Sequence, residues 1–280
     1  ATKVQFGAMG DCPLVVNGFT FQSNPESKSQ LIAVAAYNIH GSGNGLVVHK
    51  DSNYFELSDL KGKLVSVPFG SAAHGMVLKA FQDRKWPADY FQLVSQSPEV
   101  GSTNLQEKKI DAHADFVPFA ELFENRGFAR KIYDGSQANA PTFHGALVDA
   151  AYAEKYPEIV TAYLRAGIEA NQLLAAEPEK YSELIEKVTG IEAEVNYLFH
   201  GPLGLQTRDL TWKPEYRQAV ATSIDTLKLL KKADRGLNTD TFTTDRYIRE
   251  AFRQSGLDYD QHLTDYAQLP LKANDAATRK

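Results

Sequence analysis

A single cysteine, Cys12, stands in a chain of 280 residues. One thiol can neither close a disulfide within the chain nor build a cysteine-based metal cluster. It leaves the compartment open, because exported proteins also do without disulfides. Long apolar runs are missing as well. The longest, "LIAVAAYNI" from Leu31 to Ile39, falls far short of the ~20 residues that cross a bilayer, so direct membrane insertion is not expected. Basic charge is not in surplus either: 30 Lys+Arg against 35 Asp+Glu leave a net charge of -5, which excludes the broad positive field that nucleic acid requires. No phosphate loop, GxGxxG, GxSxG, paired-carboxylate motif or HExxH pair occurs, and none of the seven histidines lies four residues from another. Neither a cofactor nor a metal is therefore expected. The sequence opens on "ATKVQFG", which reads as the middle of a strand. A leader removed from the chain, or an N-terminal portion lying outside it, is the expectation.

What is present alternates. "KVQFGAMG" reads as a strand followed by a brief apolar segment led by Pro13, and "SQLIAVAAYNI" as a buried strand ending in the glycine-rich turn "HGSGNG". "LVVHKDS", "LVSVPFG", "FQLVSQSP" and "IDAHADF" are strands. Between them lie a helical turn capped by Ser58 and helices over "SAAHGMVLKAFQDRKW" and "VGSTNLQEKK"; a further helix is opened by Pro118 and closed by Gly127. This order predicts βαβ units on a parallel sheet. A crossing strand, "APTFHGALVD", follows, and from Ala150 onward helices dominate, ending in a frayed tail, "KANDAATRK".

The stretch "VPFGSAAHGM" turns a strand directly into a helix through small residues. Gly70 lets backbone approach a ligand closely, Ser71 offers a hydroxyl at the N-cap, and Ala72 and Ala73 keep the helix end uncluttered, with His74 one turn in. A helix terminus of this kind suits an anion. It contributes only about 0.3–1 kcal/mol, whereas micromolar binding needs about 8 kcal/mol. Other strand ends should therefore converge on it: Gly10-Asp11-Cys12, Asp115-Phe116-Val117-Pro118, Thr142-Phe143-His144, and the turn containing His40. Ordinary structural turns account for each of these equally well. Cys12 beside Asp11 reads as a buried thiol, because an adjacent acid raises a thiol pKa. The late stretch "YLFHGPLGLQTRDLTW", with Arg208, reads as a loop that either lines a site or packs between lobes.

Three blocks in order, "LSDLKGKLVSVPFGSAAHGMVLKAF", "KKIDAHADFVPFAELFE" and "FHGALVDAAYAEKYPEIVTAYLRA", resemble the substrate-binding proteins of nitrate/sulfonate/taurine-type ABC importers, over most of residues 46–170. "FGAMGDCPLV" is similar to that family's first-lobe loop.

The resemblance implies a two-lobed α/β periplasmic-binding-protein-like fold with a ligand cleft between the lobes and a helix-rich C-terminal part. Lobe one would comprise residues 1–45 plus 144–280, and lobe two residues 46–143. A strand–helix–strand unit that the family carries at its N-terminus would be missing here. Carried over by position, Ser71 to His74 match the family's anion-gripping turn, Phe116 and Pro118 match an aromatic and a proline of its second block, and Gly10 to Cys12 match the loop facing the cleft. Val117 stands where the family usually has aspartate. The function implied is capture of a small organic anion or zwitterion, sulfonate- or taurine-like, for a membrane permease. The expected protein is a monomer outside the cytoplasm that performs no catalysis. A thiamine-pyrimidine-precursor site would need an aromatic sandwich from Phe116, Phe143 and Tyr197, and nitrate or bicarbonate is a further ligand option. A desulfinase-like enzyme would use Cys12 as nucleophile.

Overall fold

In the computed structural model, residues 4–24, 29–38, 41–202, 204–230 and 236–268 are described. His40 and the tail 272–280 lie outside them. Two sheets organise the chain. The first has the order β1 (Phe6–Gly10), β8 (Thr142–Asp149), β2 (Ser29–Asn38), and β8 runs antiparallel to both neighbours. It is not the parallel sheet that the early alternation of strands and helices predicts. Its middle strand enters from the other half of the molecule and so runs against strands laid down earlier.

Strand periodicity explains how this sheet is covered on both faces. Leu31, Val34, Phe143 and Leu147 enter one core with α1 (Asp11–Ser23) and α9 (Pro214–Leu229). Ile32, Ala33, Ala146 and Val148 enter another with α6 (Pro157–Ala176) and α11 (Arg246–Gln254). α1 is longer than the brief segment expected after Pro13, reaching Ser23.

The second sheet has the order β5 (Gln92–Ser95), β4 (Leu64–Val67), β6 (Ala112–Asp115), β3 (Gly45–His49), β7 (Ala129–Asp134). β5, β4 and β6 are parallel, as βαβ units require, while β3 and β7 pair antiparallel. α2 (Ala72–Asp83) buries Ala73, Met76, Val77, Ala80 and Phe81 against one face. The other face takes α3 (Pro98–Gln106), α4 (Phe119–Asn125) and α8 (Ala193–His200), through Leu105, Phe123, Val195 and Phe199. α8 thus packs on the second sheet, although residues 144–280 read as part of lobe one. The helical turn Leu57–Leu60 is capped by Glu56 and Asp59, with Ser58 inside it rather than at its cap.

The chain passes between the sheets through 41–44 and 135–141. These two passages touch backbone to backbone. A Cβ on Gly41 would lie 2.1 Å from the Ala140 carbonyl oxygen, and one on Gly135 would lie 2.1 Å from that of Gly41. Gly41 also has φ +78°, so any side chain there would meet both strain and a clash.

Candidate functional site

A cavity of about 550 Å³ lies between the two sheets. From the first-sheet side it is reached by Gly10 and Asp11, where β1 becomes α1, and by Thr142 and His144 on β8. From the second-sheet side come Ser71 and Ala72 at the start of α2, Phe116 to Pro118 after β6, and Asn44 before β3. The expected strand ends therefore do converge.

Ser71 caps α2 as its position predicts. It adopts extended backbone, and its Oγ accepts the His74 N–H at 3.2 Å. The first N–H groups of α2 point out of the helix end. Gly70 supplies φ +86°, which the turn needs and an L side chain rarely adopts.

Other expected residues lie outside the cavity lining. Ala73 is buried in the second-sheet core. His74 stacks on Phe69 at 4.6 Å, and its Nδ1 accepts the Gly70 N–H at 3.1 Å, so it braces the turn instead of facing the cavity. Cys12 is 2% exposed in the core beneath α1. Phe143 points away from the cavity because strand residues alternate: Thr142 and His144 face it, and Phe143 packs edge-on against Tyr216 at 5.1 Å. The aromatic sandwich therefore does not form.

Asp115 is also removed from the cavity. It is fully buried and accepts from His113, whose Nε2 lies 2.8 Å from Asp115 Oδ2, while His113 Nδ1 lies 2.6 Å from Ser66 Oγ. Serine, histidine and aspartate in line have the composition of a hydrolytic triad. All three are 0% exposed, so no substrate reaches Ser66 and the arrangement is structural. Asp115 Oδ1 accepts the Phe116 N–H at 2.8 Å, which ties this buried network to the Phe116–Pro118 wall of the cavity.

The stretch from Tyr197 to Trp212 supplies what the other strand ends lack. His200, Gln206 and Arg208 line the cavity. Arg208 is solvent-exposed over part of its length, and burial around its guanidinium lowers its pKa. Its Nε donates to Asn171 Oδ1 at 3.1 Å, and no carboxylate pairs with it among the described residues. The neighbouring Asp209 is engaged elsewhere, within 2.6 Å of both Lys213 Nζ and His262 Nε2. These bonds hold its carboxyl far below the usual range, and they pin the loop that carries Arg208.

Burial pushes His144 down and Arg208 adds to this; burial, then Arg208, then His144 push His200 down to about 3. One cationic and two neutral basic side chains thus share this wall. Sequence reasoning flagged the stretch without selecting these residues. Arg208 carried the readable signal, as the one cation among glycines and aromatics.

Asp11 is 3% exposed, and burial pushes its carboxyl up to about 6 despite the Cys12 N–H donating to Oδ1 at 2.8 Å. An acid whose folded pKa is raised holds a proton that the unfolded chain has lost, so stability falls as pH rises between about 4 and 6. Asp11→Asn is expected to raise the stability of the empty protein by about 1–3 kcal/mol at pH 8 and to leave it unchanged at pH 4. Thermal melts at the two pH values check this, and an equal effect at both would refute it.

Among the described residues, no three His, Cys, Asp or Glu side chains are placed to hold a metal, and no helix is long and apolar enough to cross a membrane. Two α/β layers joined by crossing segments, with a polar-floored cavity between them, define a two-lobed binding fold. The crystal structure of the periplasmic aliphatic sulphonate binding protein SsuA from Escherichia coli has the same fold, with TM-score 0.68 and 22% identity, over 88% of this chain and 82% of that one. So does the desulfurization enzyme DSZB, with TM-score 0.69 and 12% identity, over 90% of this chain and 86% of that one. The chain belongs to the NMT1/THI5-like family, whose profile matches residues 23–181. The taurine-binding periplasmic protein of Escherichia coli strain K12 is 27% identical over 242 residues, which span 82% of this chain and 71% of that relative.

Proposed function

We propose that this chain is the solute-binding component of an ABC importer. It works outside the cytoplasmic membrane as a monomer and holds a small organic anion or zwitterion, sulfonate- or taurine-like, for a membrane permease. The observation that carries this reading is Arg208, which lines the cavity and has no carboxylate partner among the described residues. Arginine presents a planar fork of donors that matches a sulfonate or carboxylate and loses less to desolvation than an ammonium does. The N-terminus of α2 adds backbone donors from the other sheet, and Asp11 offers an acceptor to an ammonium group.

The alternatives fit less well. Met9, Val117, Ile185, Ile191 and Phe199 give the cavity apolar walls, which suit an organic tail better than bare nitrate or bicarbonate. A pyrimidine would need the aromatic sandwich that Phe143 does not enter. A Cys12 nucleophile would need a thiol that reaches the cavity, and this one is packed in the core.

A thermal-shift panel of taurine, ethanesulfonate, hexanesulfonate, nitrate, bicarbonate and a hydroxymethylpyrimidine tests the reading. A sulfonate at one hundred times its Kd is expected to stabilise the protein by about 2.7 kcal/mol. Stabilisation by the pyrimidine or by nitrate, with none by any sulfonate or by taurine, would overturn it.

A further inference from the structure

We propose that His200 is a ligand contact of this cleft and takes up a proton together with the anion in mildly acid solution. The inference rests on the anion-site reading above and adds a residue and a coupling to it. His200 is the last residue of α8, it lines the cavity, and its Nδ1 is buried with no hydrogen-bond partner. Buried ring nitrogens are nearly always satisfied. The ring lines the cavity, and a rotation of it brings this nitrogen to the cavity, where after protonation it is a donor suited to an anionic oxygen.

The charges around the ring are unbalanced in a way that an anion corrects. Arg208 faces it from the loop after α8, and His144 from β8. Asp11, on α1, lines the same cavity, with Oδ1 taken by the Cys12 N–H and a further bond to Ser223. The elements packed on α8 send no free acid toward the ring. Glu186 of α7 (Pro178–Thr189) accepts from the Ala193 N–H at the opposite end of α8, and Glu121 of α4 is 2.6 Å from Lys131 Nζ. Glu192, before α8, pairs with Arg126 at 2.8 Å. The carbonyl end of α8 favours a cation at His200. Burial and the Arg208 charge outweigh it and keep the ring neutral in the empty cleft.

An anion bridging Arg208 and His200 reverses that balance. An opposite charge within ~4–6 Å raises such a pKa by about 1–3 units. The ring, pushed down to about 3 when empty, then titrates at about 4–6 when occupied. Binding between these values draws in up to one proton per ligand, so affinity strengthens as pH falls, by at most about tenfold per unit.

Isothermal titration with ethanesulfonate and taurine at pH 5, in two buffers of different ionisation enthalpy, counts the protons taken up. The wild type is expected to take up a measurable fraction of a proton at pH 5 and close to none at pH 8. It should bind more tightly at pH 5 than at pH 8, by about twofold for an occupied pKa at the middle of that range of about 4–6 and about tenfold at its top. His200→Gln keeps a hydrogen-bonding side chain without a titrating ring; it should lose both the proton uptake and the pH dependence, and bind more weakly. Binding without proton uptake in the wild type at pH 5 overturns the proposal. Uptake that survives in His200→Gln and disappears in His144→Gln or Asp11→Asn also overturns it, by assigning the proton elsewhere. If neither ligand binds the wild type at all, the anion-site reading fails and this proposal fails with it. Should His200→Gln not fold, NMR titration of the wild-type ring with and without ethanesulfonate decides: an upward pKa shift on binding supports the proposal, and an unmoved pKa ends it.

Discussion

Arg208→Ala is expected to weaken sulfonate binding about 100-fold or more while leaving the melting temperature of the empty protein nearly unchanged. A hydrogen bond to a charged group contributes about 1.5–3 kcal/mol, and a guanidinium makes two such bonds to one anionic group. The loss corresponds to roughly 3 kcal/mol, or two orders of magnitude in Kd. The empty fold loses little, because Arg208 forms no ion pair among the described residues and its Nε donates one hydrogen bond to Asn171. Its loop is held independently by the Asp209–Lys213–His262 cluster and by the pairing of Thr207 with Tyr37. Arg208→Lys should recover part of the affinity, since a point charge lacks the planar fork. Calorimetry on the three proteins measures this; Arg208→Ala affinity within threefold of wild type would remove Arg208 from the site.

The largest effect on stability is expected at His113. Truncation to alanine removes the middle member of a fully buried chain and leaves the Asp115 carboxyl with the Phe116 N–H but without its side-chain partner. Breaking a buried pair in this way costs about 3–5 kcal/mol. Burial already raises the Asp115 pKa, so the orphaned acid would become harder still to ionise. The ring also fills space that α3 leaves for it, since a Cβ on Gly101 would lie 2.2 Å from His113 Cε1. Ser66→Ala removes one end of the chain only and should cost about 1–3 kcal/mol. Urea denaturation gives both values, and a smaller loss for His113→Ala than for Ser66→Ala would refute the assignment. Because Asp115 holds the Phe116 N–H, ligand affinity should fall along with stability in His113→Ala.

Much of the scaffold was readable because its signals are local. "FGSAAHG" announces a capped strand-to-helix turn through small residues followed by a helical stripe, and Ser71 and Ala72 do reach the cavity. Within 142–144 the strand period could have separated the inward His144 and Thr142 from Phe143, but the choice of face depends on pairing across the sheet. β7 was not legible, since "ARKIYD" mixes charges with apolar residues and is a strand only beside β3. His200 and Arg208 come together through contacts far apart in sequence: α8 seats on α4, and Thr207 bridges to Tyr37. No periodicity within 197–212 encodes those partners.

The seating of α8 on the second sheet also sets the freedom of the molecule. Leu205 belongs to the core of the second sheet, and Thr207, two positions on, exchanges backbone hydrogen bonds of 2.8 and 2.9 Å with Tyr37 of the first. The halves are therefore stitched together at a third point besides 41–44 and 135–141. Any rotation of one sheet against the other must pivot along that seam, which passes Asn44, Thr142 and Gln206 in the cavity wall. The α1 and α2 ends are carried by opposite sheets, yet α9 packs against both helices, so the two ends separate only if α2 leaves α9.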